Sequence, residues 1–594
     1  MAMNPITEDA IGKVISRYAP VSLGADLTSF TENEKIAISK LVAAGKLIDR
    51  IYLRQKWKGN EALLEQLQNV KTQDKRILLV FDLLKGPWDR VEGLVISNPP
   101  NLPVHKPEGG NFYPENMTKE EFESWVRTLE PEQQAKAKGF YHVVKRKEPQ
   151  GELYLNPYSD EYKDLLSEIA GLLKESSKLV ENESLRKFLR TRAEAFLNNE
   201  YLESEVDWLN INKESRLEVT VGPYEVYTDE LFSAKSAFEF YIHARDFEFS
   251  KILEKFSNSL QEVENNLPVP PKYKNSDLKT TPIVVVNQLY AAGDVAVPMT
   301  AAYNLPNDEE AIKRGGSKLV IIKNVQEGKY HNILEPISRL TVAENQLQYL
   351  SFDAFFTHIL LHEVAHSNGP HYTVGPNPVT VRSRLQEYHS AIEEAKADIT
   401  GLFAAAHLLK IGLLTSPSIQ QFYVTYLASA FRSVRFGIKE VRELAYWGRP
   451  QQRSVYYTVP SPIVVAHGLG QCIQLNYILS QGGFTYDPMT TRFSVNFDTV
   501  TSAVSNLTRD ILILQGDGDK KRVKEFVDTY GEVRKEVKEA LNKLELEGIP
   551  IDIRPSYEII YHLLLQKIFK LLEKEKTRQY VDGTYNINNV PDGY

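Results

Sequence analysis

The chain has a single cysteine, Cys472, in 594 residues. No internal disulfide can form, and neither a thiolate-rich zinc finger nor an iron–sulfur cluster can be built. Any metal ion must therefore be held by histidine, carboxylate or backbone oxygen. A basic surplus is absent too: 70 Lys+Arg stand against 78 Asp+Glu, for a net charge of −8. Nucleic-acid binding needs a positive footprint that this balance does not supply, so no nucleic-acid partner is expected. No apolar run reaches the ~18 residues of a membrane span, and the opening MAMNPITEDAIGK lacks a basic segment followed by an apolar one. The expectation is a cytoplasmic protein with no membrane partner. A hydrophobic share of 42% and a charged share of 25% exclude wholesale disorder.

The length exceeds what one ordinary core holds, so several domains or one large two-lobed enzyme are expected. Apolar residues at helical spacing mark residues 36–52 and 61–84. A Pro- and Gly-rich loop covers 98–116, and Thr118 with Glu121 fits a capping box for a helix starting near Lys119. Helical patterning continues over 160–198. From 217 the pattern alternates, LEVTVGPYEVYTD, in the manner of a strand. The spacing then predicts a helix over about 231–260 and a loop over 265–277. TPIVVVNQLYAAGD reads as a buried strand, Asn304 to Asn307 as a turn, and KLVIIKNV as another strand. Beyond 351 the chain is largely helical. The fold class is α+β, mostly helical, with one small β-sheet or barrel.

What the chain does have is clustered histidine. Of its twelve, His358, His362, His366, His371 and His389 crowd into a short stretch. His362-Glu363-Val364-Ala365-His366 is an HExxH sequence, expected by chance well under once in a chain of this composition. On a helix the two histidines share a face and can point at one ion, with Glu363 beside them but not itself a ligand. The helix stops just after His366 at Ser367-Asn368-Gly369-Pro370. His358 lies one turn earlier and reads as structural. A catalytic zinc site uses three protein ligands and keeps a fourth position open. An HExxHxxGxxH pattern would need His at 372; Tyr372 stands there, and His371 is out of register. A carboxylate from the following HSAIEEAKADITGLFAA is the alternative, drawn from Glu393, Glu394 and Asp398. One acid can bind the metal while a neighbour orients a ligand histidine through its free N–H. The bland alternative is that Glu393 and Glu394, with Lys396, form a solvated helix face.

At these residues the sequence resembles the dipeptidyl peptidase III family of zinc exopeptidases. HEVAH followed by EEAKAD looks like that family's pair of zinc-binding motifs. The resemblance implies His362, His366 and Glu394 as ligands of one Zn²⁺, Glu363 as catalytic base, and Glu393 and Asp398 as supports of the ligand histidines. Within GPYEVYTDELF, Glu225 resembles the family's acid for the substrate amino terminus, and Tyr227 its tyrosine for the oxyanion. Asn304-Leu305-Pro306-Asn307 resembles the turn whose two asparagines bind the peptide amine. Ala466-His467 resembles the segment carrying the active-site histidine. Together these span residues 216 to 471. The larger family members have one more residue between the zinc-binding histidines, a Glu where Asp398 stands, and an Arg at the position of Gln471.

The resemblance implies two lobes separated by a cleft. A mixed lobe would comprise 1–245 with 288–333 and a returning segment of about 568–594; a helical zinc-binding lobe would comprise 246–287 and 334–567. The implied function is a zinc metallopeptidase that removes dipeptides from short peptides, acting as a monomer or weak homodimer. Two alternatives remain open at this level: a zinc hydrolase of the same fold acting on a non-peptide substrate, and a metal- or peptide-binding protein without turnover. Glu363 speaks against the last, because binding alone needs no base between the ligands.

Overall fold

Thr31 starts the first long helix, α1 (Glu32–Lys56), through a reciprocal cap. Its hydroxyl accepts from Glu34 N–H at 3.3 Å, and the Glu34 carboxylate accepts from Thr31 N–H at 3.0 Å, so two donors of the open helix end are satisfied. The computed structural model describes residues 8–69, 74–89, 102–103, 105–147, 151–275, 278, 282–444 and 462–560. The expected return of 568–594 lies outside the described residues. Thr118 caps the helix Lys119–Val126 as expected, accepting from Glu121 N–H at 3.1 Å. The helical stretch over 160–198 is two main helices, α2 (Lys163–Ser177) and α3 (Glu183–Asn198), because Asn182 starts a new cap between them.

Five strands form one sheet: β1 (Leu217–Glu225), β2 (Ala237–Arg245), β3 (Ile283–Gly293), β4 (Ala302–Leu305) and β5 (Lys318–Ile322), in the order β1-β2-β3-β5-β4. β2 corrects the helix expected over 231–260, of which only the part from Phe247 is helical. In AFEFYIHAR, Phe238, Phe240 and Ile242 occupy one face and Glu239, Tyr241 and His243 the other, and all six are buried. Apolar and polar residues alternate from Phe238 to Arg245, so the period of two is present in the sequence although the polar face is buried as well. It pairs antiparallel with β1, Gly222 opposite Glu239, and with β3, Glu239 opposite Gly293.

The expectation of a barrel is also corrected: among the described residues no backbone ladder joins β1 to β4, and the sheet stays open. Its edge strands are instead bridged by side chains. Thr220 Oγ1 and Tyr303 OH lie 2.8 Å apart, and Asn307 Nδ2 donates to the Tyr224 carbonyl at 3.0 Å.

Downstream come the helices that hold the histidines and their neighbours: α4 (Phe352–Ala365), α5 (His389–Lys410), α6 (Ile419–Leu444), α7 (Pro462–Ser480) and α8 (Val500–Asp517). A parallel pairing of Tyr18–Leu23 with Asp552–Tyr557 joins the early chain to the late one. One apolar core runs through the molecule, including Leu41 of α1, Phe240 of β2, Leu360 of α4, Leu402 of α5 and Ile473 of α7. Each such side chain contributes about 1.5–3 kcal/mol on burial. No helix among the described residues is long and apolar enough to cross a membrane.

Candidate metal centre

Three helices meet at the histidines because small residues let their backbones approach. A Cβ on Gly401 of α5 would stand 3.0 Å from the His362 backbone nitrogen of α4. One on Gly470 of α7 would stand 3.0 Å from the Ala391 carbonyl of α5. Ser351 caps α4, accepting from Ala354 N–H at 3.2 Å, and the helix runs to Ala365, so His362 and His366 sit in its last turn.

Both imidazoles are oriented through Nδ1. His362 Nδ1 lies 2.6 Å from Asp398 Oδ1, and His366 Nδ1 lies 3.0 Å from Glu393 Oε1. A carboxylate accepts only, so each Nδ1 carries a proton, and in the neutral ring Nε2 keeps its lone pair. The two Nε2 atoms face one another at 3.2 Å. Glu394 Oε2, buried and outside hydrogen-bond geometry among the described residues, lies 3.4 Å from His362 Nε2 and 3.8 Å from His366 Nε2. Two lone pairs and a carboxylate oxygen aimed at one point repel unless a cation lies between them. Donors about 2.0–2.1 Å from a tetrahedral zinc stand about 3.3–3.4 Å apart. The residues present therefore fit a metal ion in both chemistry and spacing. The Glu363 carboxylate closes a second group with the same histidines, ligand atoms within 4.8 Å of one another. His467 Nδ1 lies 3.2 Å from Glu394 Oε2.

Burial alone would raise the pKa of Glu393 and Asp398, yet both are held well below the usual carboxylate range. Lys396 and His366 do this for Glu393, and His362 chiefly for Asp398. Burial likewise disfavours charge on His362, but Asp398, Glu394 and Glu363 hold it well above the ordinary imidazole value. An excess of negative charge around the paired histidines is what a divalent cation would balance.

His358 does not join this set: its Nε2 contacts the Asp398 carbonyl at 2.9 Å. His371 turns to the Ser367 carbonyl at 3.1 Å. Four contributors have no role at the metal in the sequence reading. Lys396, read only as part of a solvated face, is buried at 2% exposure and pairs with Glu393 at 2.8 Å. Gln515 Nε2 donates to Glu393 Oε2 at 2.8 Å. Gln471 and Gln474 both donate to Asp398 Oδ2, the latter at 3.2 Å. The spacing 467, 471, 474 puts His467 and both glutamines on one face of α7, a signal available in the sequence; Gln515 carries none.

The sheet residues form a group of their own. Glu225 ends β1, Tyr227 follows it at 46% exposure, and Asn304 and Asn307 lie at and beyond the end of β4. The Asn307 bond to Tyr224 seats that turn against the end of β1. Burial and the charge of Asp294 push Glu225 up to about 7. Among the described residues Glu225, Asn304 and Asn307 make no hydrogen bond or ion pair with the histidine cluster.

Residues 117–369 match the model of Peptidase family M49. A protein of Arabidopsis thaliana called Nudix hydrolase 3 is 37% identical over 93% of this chain and 75% of its own length, so a quarter of it lies outside the match. The solved structure of DPP III from Caldithrix abyssi is 36% identical, covers 93% of this chain and 100% of its own, and superposes with a TM-score of 0.83. Dipeptidyl-peptidase III from Corallococcus sp. strain EGB is 40% identical over 94% and 99%, with a TM-score of 0.72. The chain belongs to the dipeptidyl peptidase III family. As a member of that family it is a metallopeptidase, and its substrates are peptides. The match to Peptidase family M49 takes in the sheet group and both histidines, and the two dipeptidyl peptidase III structures extend the likeness to 93% and 94% of the chain.

Proposed function

We propose that the protein is a zinc-dependent exopeptidase that releases dipeptides from the amino end of short peptides. The observation that carries this reading is the convergence of His362 Nε2, His366 Nε2 and the buried Glu394 Oε2 beside Glu363. His362, His366 and Glu394 would hold a zinc ion, which when bound would supply a Lewis acid and lower the pKa of water. Glu363 would be the base that takes a proton from the attacking water and returns it to the leaving amine. Negative charge develops on the carbonyl oxygen. Tyr227 and His467 are the donors for it, each worth about 3 kcal/mol where such a donor has been removed from other enzymes.

The peptide amine is met by acceptors. Glu225 supplies a carboxylate, and Asn304 and Asn307 supply side-chain carbonyls. Asn307 spends its Nδ2 on Tyr224, which leaves Oδ1 to accept from an ammonium. An amine held at a set distance from the metal makes a ruler, so cleavage falls near the free end. The sheet group would belong to a mixed lobe (1–245 with 288–333) and the metal to a helical lobe (246–287 and 334–567), with closure excluding water.

A mixed peptide pool digested with zinc, then with a chelator, tests this by mass spectrometry. Loss of two residues from free but not from blocked amino ends, abolished by chelation, is expected; internal fragments would refute it. Glu363→Gln should retain zinc and lose hydrolysis. Activity unchanged in that variant would remove Glu363 from the mechanism.

A further inference from the structure

We propose that Gln471 and Gln474 of α7 are positioning residues for the metal centre: they hold the Asp398 carboxylate, and through it fix the tautomer and tilt of His362. This rests on the metallopeptidase reading above.

Asp398 is engaged on every side. Oδ1 accepts from His362 Nδ1 at 2.6 Å, and its backbone carbonyl contacts His358 Nε2 at 2.9 Å. Oδ2 accepts from Gln471 Nε2 and from Gln474 Nε2, the latter at 3.2 Å. The glutamines are 5% and 0% exposed, so they bind Asp398 in place of water. The direction of the Gln474 amide is itself set. Tyr426 OH donates to Gln474 Oε1, and Gln474 Nε2 also donates to the Gly470 carbonyl at 3.1 Å. An amide whose oxygen accepts from a buried tyrosine must turn its nitrogen toward Asp398. Tyr426 in turn packs its ring edge-on to His358, centroids 5.1 Å apart. The chain of contacts thus runs from Tyr426 through Gln474 and Asp398 to the lone pair of His362.

The chemistry of the donors matters. An arginine on Asp398 would neutralise it, whereas two amides satisfy Oδ2 and add no charge. Asp398 then keeps its full negative charge to polarise the His362 N–H, which strengthens Nε2 as a donor to a metal. Asp is also one methylene shorter than Glu, and two residues a turn apart on α7 together reach it. Gln471 Oε1 has no partner within hydrogen-bond geometry among the described residues, and its nitrogen is held by Asp398.

The test measures zinc affinity by chelator competition on metal-stripped full-length protein, with the visible spectrum of the cobalt(II) form as a second readout. Gln471→Met and Gln474→Met keep the volume and remove the donor. Each is expected to weaken zinc by about 10- to 100-fold and to shift the cobalt spectrum, with some lowering of the metal-free melting temperature from the lost buried hydrogen bond. Affinity and spectrum indistinguishable from the unaltered chain would overturn the proposal. If either Met variant fails to fold, Tyr426→Phe decides: it removes only the hydroxyl that aims Gln474. A weaker zinc affinity there supports the positioning role, and an unchanged one overturns it. The unaltered chain and His362→Ala separate the two readings. If the unaltered chain binds no zinc, the metallopeptidase reading falls and takes this proposal with it. If it binds zinc, His362→Ala does not, and the glutamine variants match the unaltered chain, only this proposal falls.

Discussion

Lys396 is buried without being apolar, and its surroundings give the reason. Its Nζ donates to the carbonyls of Ala365, His366 and Asn368, at 3.1, 2.9 and 3.0 Å, and pairs with Glu393. One cation closes the open end of α4 and holds the acid that orients His366. Removing one partner of a buried pair leaves the other uncompensated, at a cost of about 3–5 kcal/mol. Lys396→Met should lower the denaturation free energy of the metal-free protein by that order in urea titrations, and weaken zinc binding through His366. Glu225 gives a second residue-scale prediction. With its pKa pushed up to about 7, it gains its charge as pH rises through neutrality. For unblocked peptides kcat/KM should rise through about pH 7 and fall again as the peptide amine loses its proton near pH 8. Glu225→Gln should flatten the rise and cost about 1.5–3 kcal/mol, the worth of a hydrogen bond to a charged group. pH–rate profiles of the two forms check it. His362 and His366 were legible as a pair because i,i+4 spacing determines a shared face. Lys396 was not, since spacing does not say which face of a helix is covered.

At the scale of elements, the metal centre depends on how closely α4, α5 and α7 approach. Alanine ordinarily favours a helix interior over glycine by about 1 kcal/mol. At Gly401 the added methyl would meet the His362 and Leu361 backbone at 3.0–3.1 Å, and backbone does not swing aside. Gly401→Ala should therefore destabilise by about 1–3 kcal/mol, as overpacked sites do, and loosen zinc by moving Glu394 relative to His362. Thermal melts with a zinc titration read both effects, and a stabilised variant with normal zinc affinity would contradict the argument. The helices carrying HEVAH and EEAKAD were legible from the helical pattern beyond 351 and from the stop at Ser367-Asn368-Gly369-Pro370. β2 was misread although its residues alternate apolar and polar from Phe238 to Arg245, and of the two forms expected, sheet or barrel, the open sheet is found, because strand sequence does not show whether edge strands meet by ladder or by side chain.

For the whole molecule, metal binding and folding are linked. The paired histidines and the Glu394 oxygen converge closely, so a bound zinc ion, as proposed, would favour the folded state. A ligand at about 1,000 times its Kd adds about 4 kcal/mol of stability. Zinc should raise the melting temperature of stripped protein, chelation should reverse this, and Glu394→Gln should reduce the shift. An equal shift in that variant would exclude Glu394 as a ligand. The proposed closure of two lobes predicts compaction in small-angle scattering when a peptide inhibitor binds. By itself the sequence determined which residue types could hold a metal, that two histidines and an acid pair lie on helices, and that the molecule is mostly helical. These follow from composition and from the periods of local structure, which neighbours along the chain impose. Only the tertiary structure decided which acid serves which histidine, that Lys396 is buried, and that glutamines 471, 474 and 515 complete the centre. Those assignments depend on helices far apart in sequence approaching to within a few ångströms, and no local period encodes that distance.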